Sequence, residues 1–160
     1  MGVEIERKFL VCDVDYFRAE QIQTNYPKLQ IKQGYLSLEP QVRVRTVHES
    51  INNEHHRYRA YLTVKGKTEH ISTPEFEFEI PYADGVELLG LCQGGVVIKD
   101  RLEVGRWEVD FFKGNNLGLV IAEIELQSED EVVFTPFWVG QEVTNDSKYS
   151  NKNLTRAPFN

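Results

Sequence analysis

The stretch VEIERKFLV, residues 3–11, alternates apolar and charged side chains with a period of two. Successive side chains of a β-strand point to opposite faces, so Glu4, Glu6 and Lys8 share one face and Val3, Ile5, Phe9 and Val11 the other. Arg7 is the one charge on the apolar side and is expected in solvent or in an ion pair outside the sheet. Whether the charged face is merely wet or a working surface depends on what the other strands present.

The same alternation recurs along the chain. Arg43 and Arg45 share a face, as do Arg57, Arg59 and Lys65; Glu75, Glu77 and Glu79; Lys99, Arg101 and Glu103; Glu108 and Asp110; and Glu123 and Glu125. Apolar residues fill the opposite positions each time, as in Val42/Val44, Leu62/Val64 and Phe76/Phe78/Ile80. Asp13 is placed to cap a helix carrying Tyr16 and Phe17, with Pro27 closing that segment. Asp84 is expected to open a second helix, DGVELLGLCQ, and Thr144 to cap a short closing one. HESINNEHH, residues 48–56, reads as an unusually long hairpin turn, and Gly105 and KGNNLG as tight ones. The pattern predicts about eight strands in a mainly antiparallel sheet with two to three short helices, an α+β protein.

Two architectures fit. In a sandwich the apolar faces meet inside and the charged rows are outer surfaces, laced by weak cross-strand pairs. In a closed barrel turned inside out, the apolar residues face outward under covering helices and the charged rows line the lumen. Unpaired buried charges cost several kcal/mol each, so such a lumen requires counter-ions and is a site by necessity. An eight-stranded barrel has room for side chains or one small ligand.

The chain, 160 residues, is apolar at 41% and charged at 27%, which suits one soluble domain over residues 1–160. A net charge of −7 argues against a broad nucleic-acid surface. The charge is uneven: residues 1–67 carry 11 basic and 8 acidic side chains, residues 68–160 carry 7 and 17. There is no apolar run of membrane-spanning length and no secretory signal pattern, so the expected compartment is the cytoplasm. Cys12 and Cys92 lack metal-ligand spacing and are expected as reduced, partly buried thiols. The histidines lack ligand spacing as well, and neither a P-loop nor a serine- or zinc-hydrolase motif occurs.

Arg and Lys rows suit phosphate oxygens, whereas carboxylates in the same small cavity repel a polyphosphate unless a divalent cation lies between them. Mg²⁺ needs no His or Cys and is held by one or two carboxylates plus substrate phosphates. Mixed rows in one lumen therefore describe a metal-polyphosphate pocket.

Glu4-x-Glu6-x-Lys8 near the N-terminus resembles the signature of the CYTH superfamily, the triphosphate tunnel metalloenzymes. VRVR, YLTVKGK, EFEFEI, IKDR, WEVDFF, AEIEL and GQEVTNDSKYSNKNL continue the resemblance in the family's order, nearest its short bacterial members. The resemblance implies an eight-stranded antiparallel barrel whose lumen binds a triphosphate with Mg²⁺ or Mn²⁺. It implies phosphate contacts from Lys8, Arg43, Arg45, Lys65, Lys99 and Arg101, and a cap over the tunnel mouth from Lys148. It implies metal ligands at Glu4, Glu6, Glu123 and Glu125, with Asp110 as a further one, and it leaves the general base open among the metal-facing glutamates, Glu77 and Asp110. Thr73 and Leu102 depart from the family pattern, where arginine and an aromatic residue are common.

The activity implied is hydrolysis of a triphosphate, inorganic tripolyphosphate first. The alternatives are a class IV-type adenylate cyclase, a thiamine triphosphatase and a non-catalytic polyphosphate-binding module. The expected partner is the small-molecule triphosphate, with no nucleic acid or membrane, and a homodimer left open.

Overall fold

Among the described residues, period-two segments become nine strands: β1 (Gly2–Val11), β2 (Lys28–Leu38), β3 (Gln41–Ile51), β4 (His55–Lys65), β5 (Ser72–Ile80), β6 (Val97–Val104), β7 (Trp107–Phe112), β8 (Val120–Glu125) and β9 (Val139–Glu142). Three helices accompany them: α1 (Val14–Gln23), α2 (Tyr82–Gly90) and α3 (Asn151–Leu154). The structure, a computed structural model, describes residues 2–23, 28–51 and 54–160. All ladders are antiparallel, in the order β5-β4-β3-β2-β6-β7-β8-β1-β9, and β1 returns to pair with β5. That last pairing closes β1–β8 into an eight-stranded barrel, with β9 added outside the ring on β1.

Closure depends on β1 serving two neighbours along its length. Its first half, Gly2 to Ile5, pairs with Glu75 to Ser72 of β5, and its second half, Glu6 to Leu10, with Glu125 to Ile121 of β8. Arg7 lies outside, where it donates two hydrogen bonds to the Glu142 carboxylate at 2.8 and 2.6 Å.

The main core lies outside the barrel wall. Phe9, Leu102, Val109, Ala122 and Ile124 on the outer faces of β1, β6, β7 and β8 pack under Phe17 of α1 and against Trp107 and Trp138. Phe17 meets Trp138 and Phe111 edge-to-face at 4.8 and 5.9 Å, and Asp13 caps α1 by accepting the Tyr16 N–H at 3.0 Å. On the other side, α2 packs on β3 and β4 through Gly85, where an added Cβ would come within 2.4 Å of the Ala60 Cβ. Not every apolar outer face is covered: Val3, Phe76 and Phe78 are exposed on β1 and β5, against the expectation of a continuous helical shell.

Four further expectations are corrected. The HESINNEHH turn is largely strand, because the β3–β4 ladder runs on to Ile51↔His55. His48 stacks on Tyr58 at 4.5 Å and shares a 2.9 Å N···N contact with His56, so cross-strand contacts extend the hairpin through residues of low strand propensity. Helix α2 begins two residues before Asp84, capped at Pro81. Thr144 caps no helix; it accepts the Lys8 N–H at 3.0 Å, and Ser150 caps α3 by accepting the Asn153 N–H. Pro27 lies outside the described residues. Cys12 and Cys92 are free, and Cys12 is exposed rather than partly buried. No described helix is long and apolar enough to cross a membrane.

Replacing Phe17 with Ala should cost about 3–5 kcal/mol in denaturant unfolding. Phe134→Ala, at a side chain 90% exposed, should shift stability by less than about 0.5 kcal/mol.

Candidate active site

Because the ladders fix which residues share a face, closure turns the charged rows inward, except at Arg57, Arg59, Glu79 and Glu103, which do not line the cavity. That cavity has a volume of about 610 Å³, and its walls carry eight basic side chains and seven carboxylates. Lumen-facing rows lose their charge at one end: two residues beyond Lys8, Lys99, Asp110 and Glu123 stand Leu10, Val97, Phe112 and Ile121 in that order. These four pack with Leu154 of α3 and Tyr149, so α3 plugs that end with apolar side chains.

Eleven of the thirteen residues singled out from the sequence line the cavity: Glu4, Glu6, Lys8, Arg43, Arg45, Lys65, Glu77, Lys99, Arg101, Glu123 and Glu125. Asp110 and Lys148 do not. Lys148 turns outward, its Nζ 5.5 Å from the Tyr149 ring centroid and 5.4 Å from that of Phe159, where it steadies the C-terminal tail. Lys152, four residues on in α3, lines the cavity instead and makes no ion pair among the described residues. Glu75, Glu108, Arg106 and Tyr35 also line the cavity without having been singled out as site residues. Glu75 and Glu108 stand on charged rows read from the sequence, whereas nothing local marks Lys152 or Tyr35.

In one part of the cavity Lys65 Nζ sits 2.5 Å from Glu4 and 3.5 Å from Glu75. Glu77 accepts from Thr63 at 2.9 Å and from Arg43 at 3.4 Å, with Arg45 at 3.7 Å. All of these contacts fall on one carboxylate oxygen, Oε2. In another part Lys8 lies 3.3 Å from Glu6 and 3.6 Å from Glu123, and Arg101 is 2.5 Å from Glu108 and 3.8 Å from Glu123.

These pairings set the protonation states. Burial opposes charge on Lys8, yet Glu123 and Glu6 outweigh it and raise its pKa. Burial likewise disfavours the Glu123 carboxylate, but Lys8 and Lys99 draw its pKa below the usual range. Glu6 goes the other way: burial, with Glu123 and Glu4 nearby, raises it despite Lys8. Arg45 is lowered by burial and by Arg43 and Arg101, and the Nε atoms of Arg43 and Arg45 are buried with no hydrogen-bond partner among the described residues.

Unpartnered guanidinium donors inside a cavity are suited to an anion. The carboxylates fit a hard divalent cation by donor type and by register, since Glu6 and Glu125 are directly opposite across the β1–β8 ladder and Glu123 is opposite Lys8. Among the described residues no three such groups converge as a ready-made metal centre. Glu4 is held by Lys65, and Glu6 and Glu123 by Lys8.

A model of the CYTH domain matches residues 2–158. The chain is 41% identical to an inorganic triphosphatase of Acetivibrio thermocellus, covering 99% of this chain and 97% of that protein. It is 30% identical to an inorganic triphosphatase of Nitrosomonas europaea, covering 94% and 95%. The crystal structure of the inorganic triphosphatase NE1496 superposes with a TM-score of 0.60 at 28% identity over 97% of this chain and 95% of that one. The PH1819 protein of Pyrococcus horikoshii shares the fold, with a TM-score of 0.51 at 23% identity over 79% and 80%.

Arg45→Met should leave the unliganded protein as stable or raise its stability by up to about 2 kcal/mol, because it removes a buried charge whose ionised form the fold disfavours. The same change should abolish most of the rise in melting temperature produced by tripolyphosphate with Mg²⁺, measured by thermal shift.

Proposed function

The chain belongs to the CYTH family, and from that premise we propose that it hydrolyses the terminal phosphoryl group of a triphosphate, inorganic tripolyphosphate first, as a cytoplasmic enzyme. The observation that carries the reading is the closed cavity of paired lysines and glutamates with two arginine Nε donors left free. Two relatives matching nearly the whole chain are inorganic triphosphatases, which supports the same substrate here.

The unliganded lumen is almost neutral, and its excess of one basic side chain cannot balance a triphosphate. A divalent cation would supply two of the missing positive charges. Glu4, Glu6, Glu123 and Glu125 would hold it, and Lys8 and Lys65, which lie against Glu6, Glu123 and Glu4, would serve phosphate oxygens. Bound Mg²⁺ or Mn²⁺ supplies charge neutralisation at the phosphoryl oxygens and a more acidic water. Arg43, Arg45, Lys99 and Arg101 hold the chain of phosphates in fixed register, so the side chains contribute mainly positioning and electrostatic stabilisation. Lys152, on the helix that plugs the tunnel, takes the capping contact that the resemblance assigned to Lys148.

Orthophosphate release from tripolyphosphate, ATP and thiamine triphosphate with Mg²⁺ or Mn²⁺ tests the reading. Tripolyphosphate should be turned over fastest, EDTA should stop the reaction, and Glu123→Gln should lower kcat/KM by about 100-fold or more. Cyclic AMP formed from ATP, or tight binding without turnover of any of the three, would replace the proposal. Lys152→Ala should raise KM for tripolyphosphate about 10-fold, as expected for losing a charge-assisted contact, while Lys148→Ala changes it less than about 3-fold.

A further inference from the structure

We propose that Asp110 is a positioning residue that acts on the triphosphate through Lys99 and Arg101, and that it ligates no metal. The inference rests on the triphosphatase reading of the cavity.

Asp110 is completely inaccessible and absent from the cavity wall. It stands on β7 directly opposite Arg101 of β6, at the seam where the charged cavity meets the apolar plug, with Ile121 as its other cross-strand partner. Both carboxylate oxygens are taken. Oδ1 accepts from Arg101 Nε at 2.7 Å, and Oδ2 accepts from Arg101 Nη2 at 2.8 Å and from Lys99 Nζ at 2.5 Å. A metal ion would have to displace two buried cations and pass a wall that leaves no opening to this carboxylate.

The arrangement does something else well. Lys99 and Arg101 are two residues apart on one strand face and nearly inaccessible, and burial together with the neighbouring Arg101 charge lowers the pKa of Lys99. One buried carboxylate between them neutralises part of their repulsion and fixes both heads. The bidentate fork locks the guanidinium plane, so Arg101 Nη1, which now meets Glu108 at 2.5 Å, is the donor left toward the lumen. Lys99 is held at the same time against Asn151 of α3, at 3.3 Å. Asp110 thus ties two phosphate-binding cations to each other and, through Asn151, to the helix that plugs the tunnel.

Phosphate release from tripolyphosphate separates the roles when Mg²⁺ is varied at saturating substrate and substrate at saturating Mg²⁺. Asp110→Asn and the charge-preserving Asp110→Glu should each raise KM for tripolyphosphate at least 10-fold and leave the half-activating Mg²⁺ concentration within 2-fold of the unsubstituted protein. Glu123→Gln, the comparator, should raise the Mg²⁺ requirement. If Asp110→Asn does not fold, by circular dichroism, Asp110→Glu decides. A 10-fold rise in the Mg²⁺ requirement of a folded variant makes Asp110 a metal ligand and overturns the proposal; an unchanged KM reduces it to a structural residue and overturns it too. If the unsubstituted protein turns over no triphosphate, the hydrolase reading alone falls. The Asp110 assignment is then decided by calorimetric titration with tripolyphosphate, where a 10-fold weaker Kd upholds it and an unchanged Kd refutes it.

Discussion

Charge buried inside the barrel has to be balanced there, and most features of this molecule follow from that constraint. A lumen lined by eight basic side chains and seven carboxylates can exist without ligand only if nearly every charge finds an opposite one within reach. The rows meet the requirement because the basic strands β4, β3 and β6 and the acidic strands β7, β8 and β5 occupy facing arcs of the ring, with β1 carrying both signs. Lys65 of β4 reaches Glu4 across the β5–β1 closure, and Lys8 of β1 reaches Glu123 of β8. The balance is incomplete where function would need it incomplete, at Arg43 and Arg45 and at Lys152.

Closure and charge balance are the same event. Strand β1 splits its pairing between β5 and β8, which brings Glu4 within reach of Lys65 of β4 and Glu6 and Lys8 beside the β8 carboxylates. An open sheet would leave those charges in water, paired weakly or not at all. The outer wall supplies the stability that the lumen does not. Phe17, Trp107 and Trp138 clamp one side of the barrel with apolar burial that carries no desolvation penalty. Polarity is thereby kept inside and cohesion outside, an inversion of the usual arrangement of a small domain.

How far the site could be read in the sequence differs by residue. Glu4, Glu6, Lys8, Arg43, Arg45, Lys65, Lys99, Arg101, Glu123 and Glu125 stand in regular strands, so alternation places them on a common face, and all of them line the cavity. Lys148 and Lys152 lie in a short turn and a one-turn helix, where no period-two rule applies, and only the packing of Tyr149 and Phe159 around Lys148 decides which lysine faces the lumen. The HESINNEHH segment hid its strands because its pairing is sustained by the His48–Tyr58 stack rather than by apolar alternation. Asp110 was placed on the correct face, yet its burial beneath Lys99 and Arg101 depends on side-chain reach across two strands.

By itself the sequence determined the strands, the sign of each face and the class of chemistry those charges suit. That information is local: backbone geometry sends alternate side chains to opposite sides whatever the strand packs against. It left open which side is concave, since a sandwich and an inverted barrel satisfy the same alternation. The tertiary structure decided that question through the β1–β5 pairing, a contact between segments about 70 residues apart. It also decided which cation meets which carboxylate, because partner choice inside a closed lumen is set by distances across the ring that no strand encodes alone.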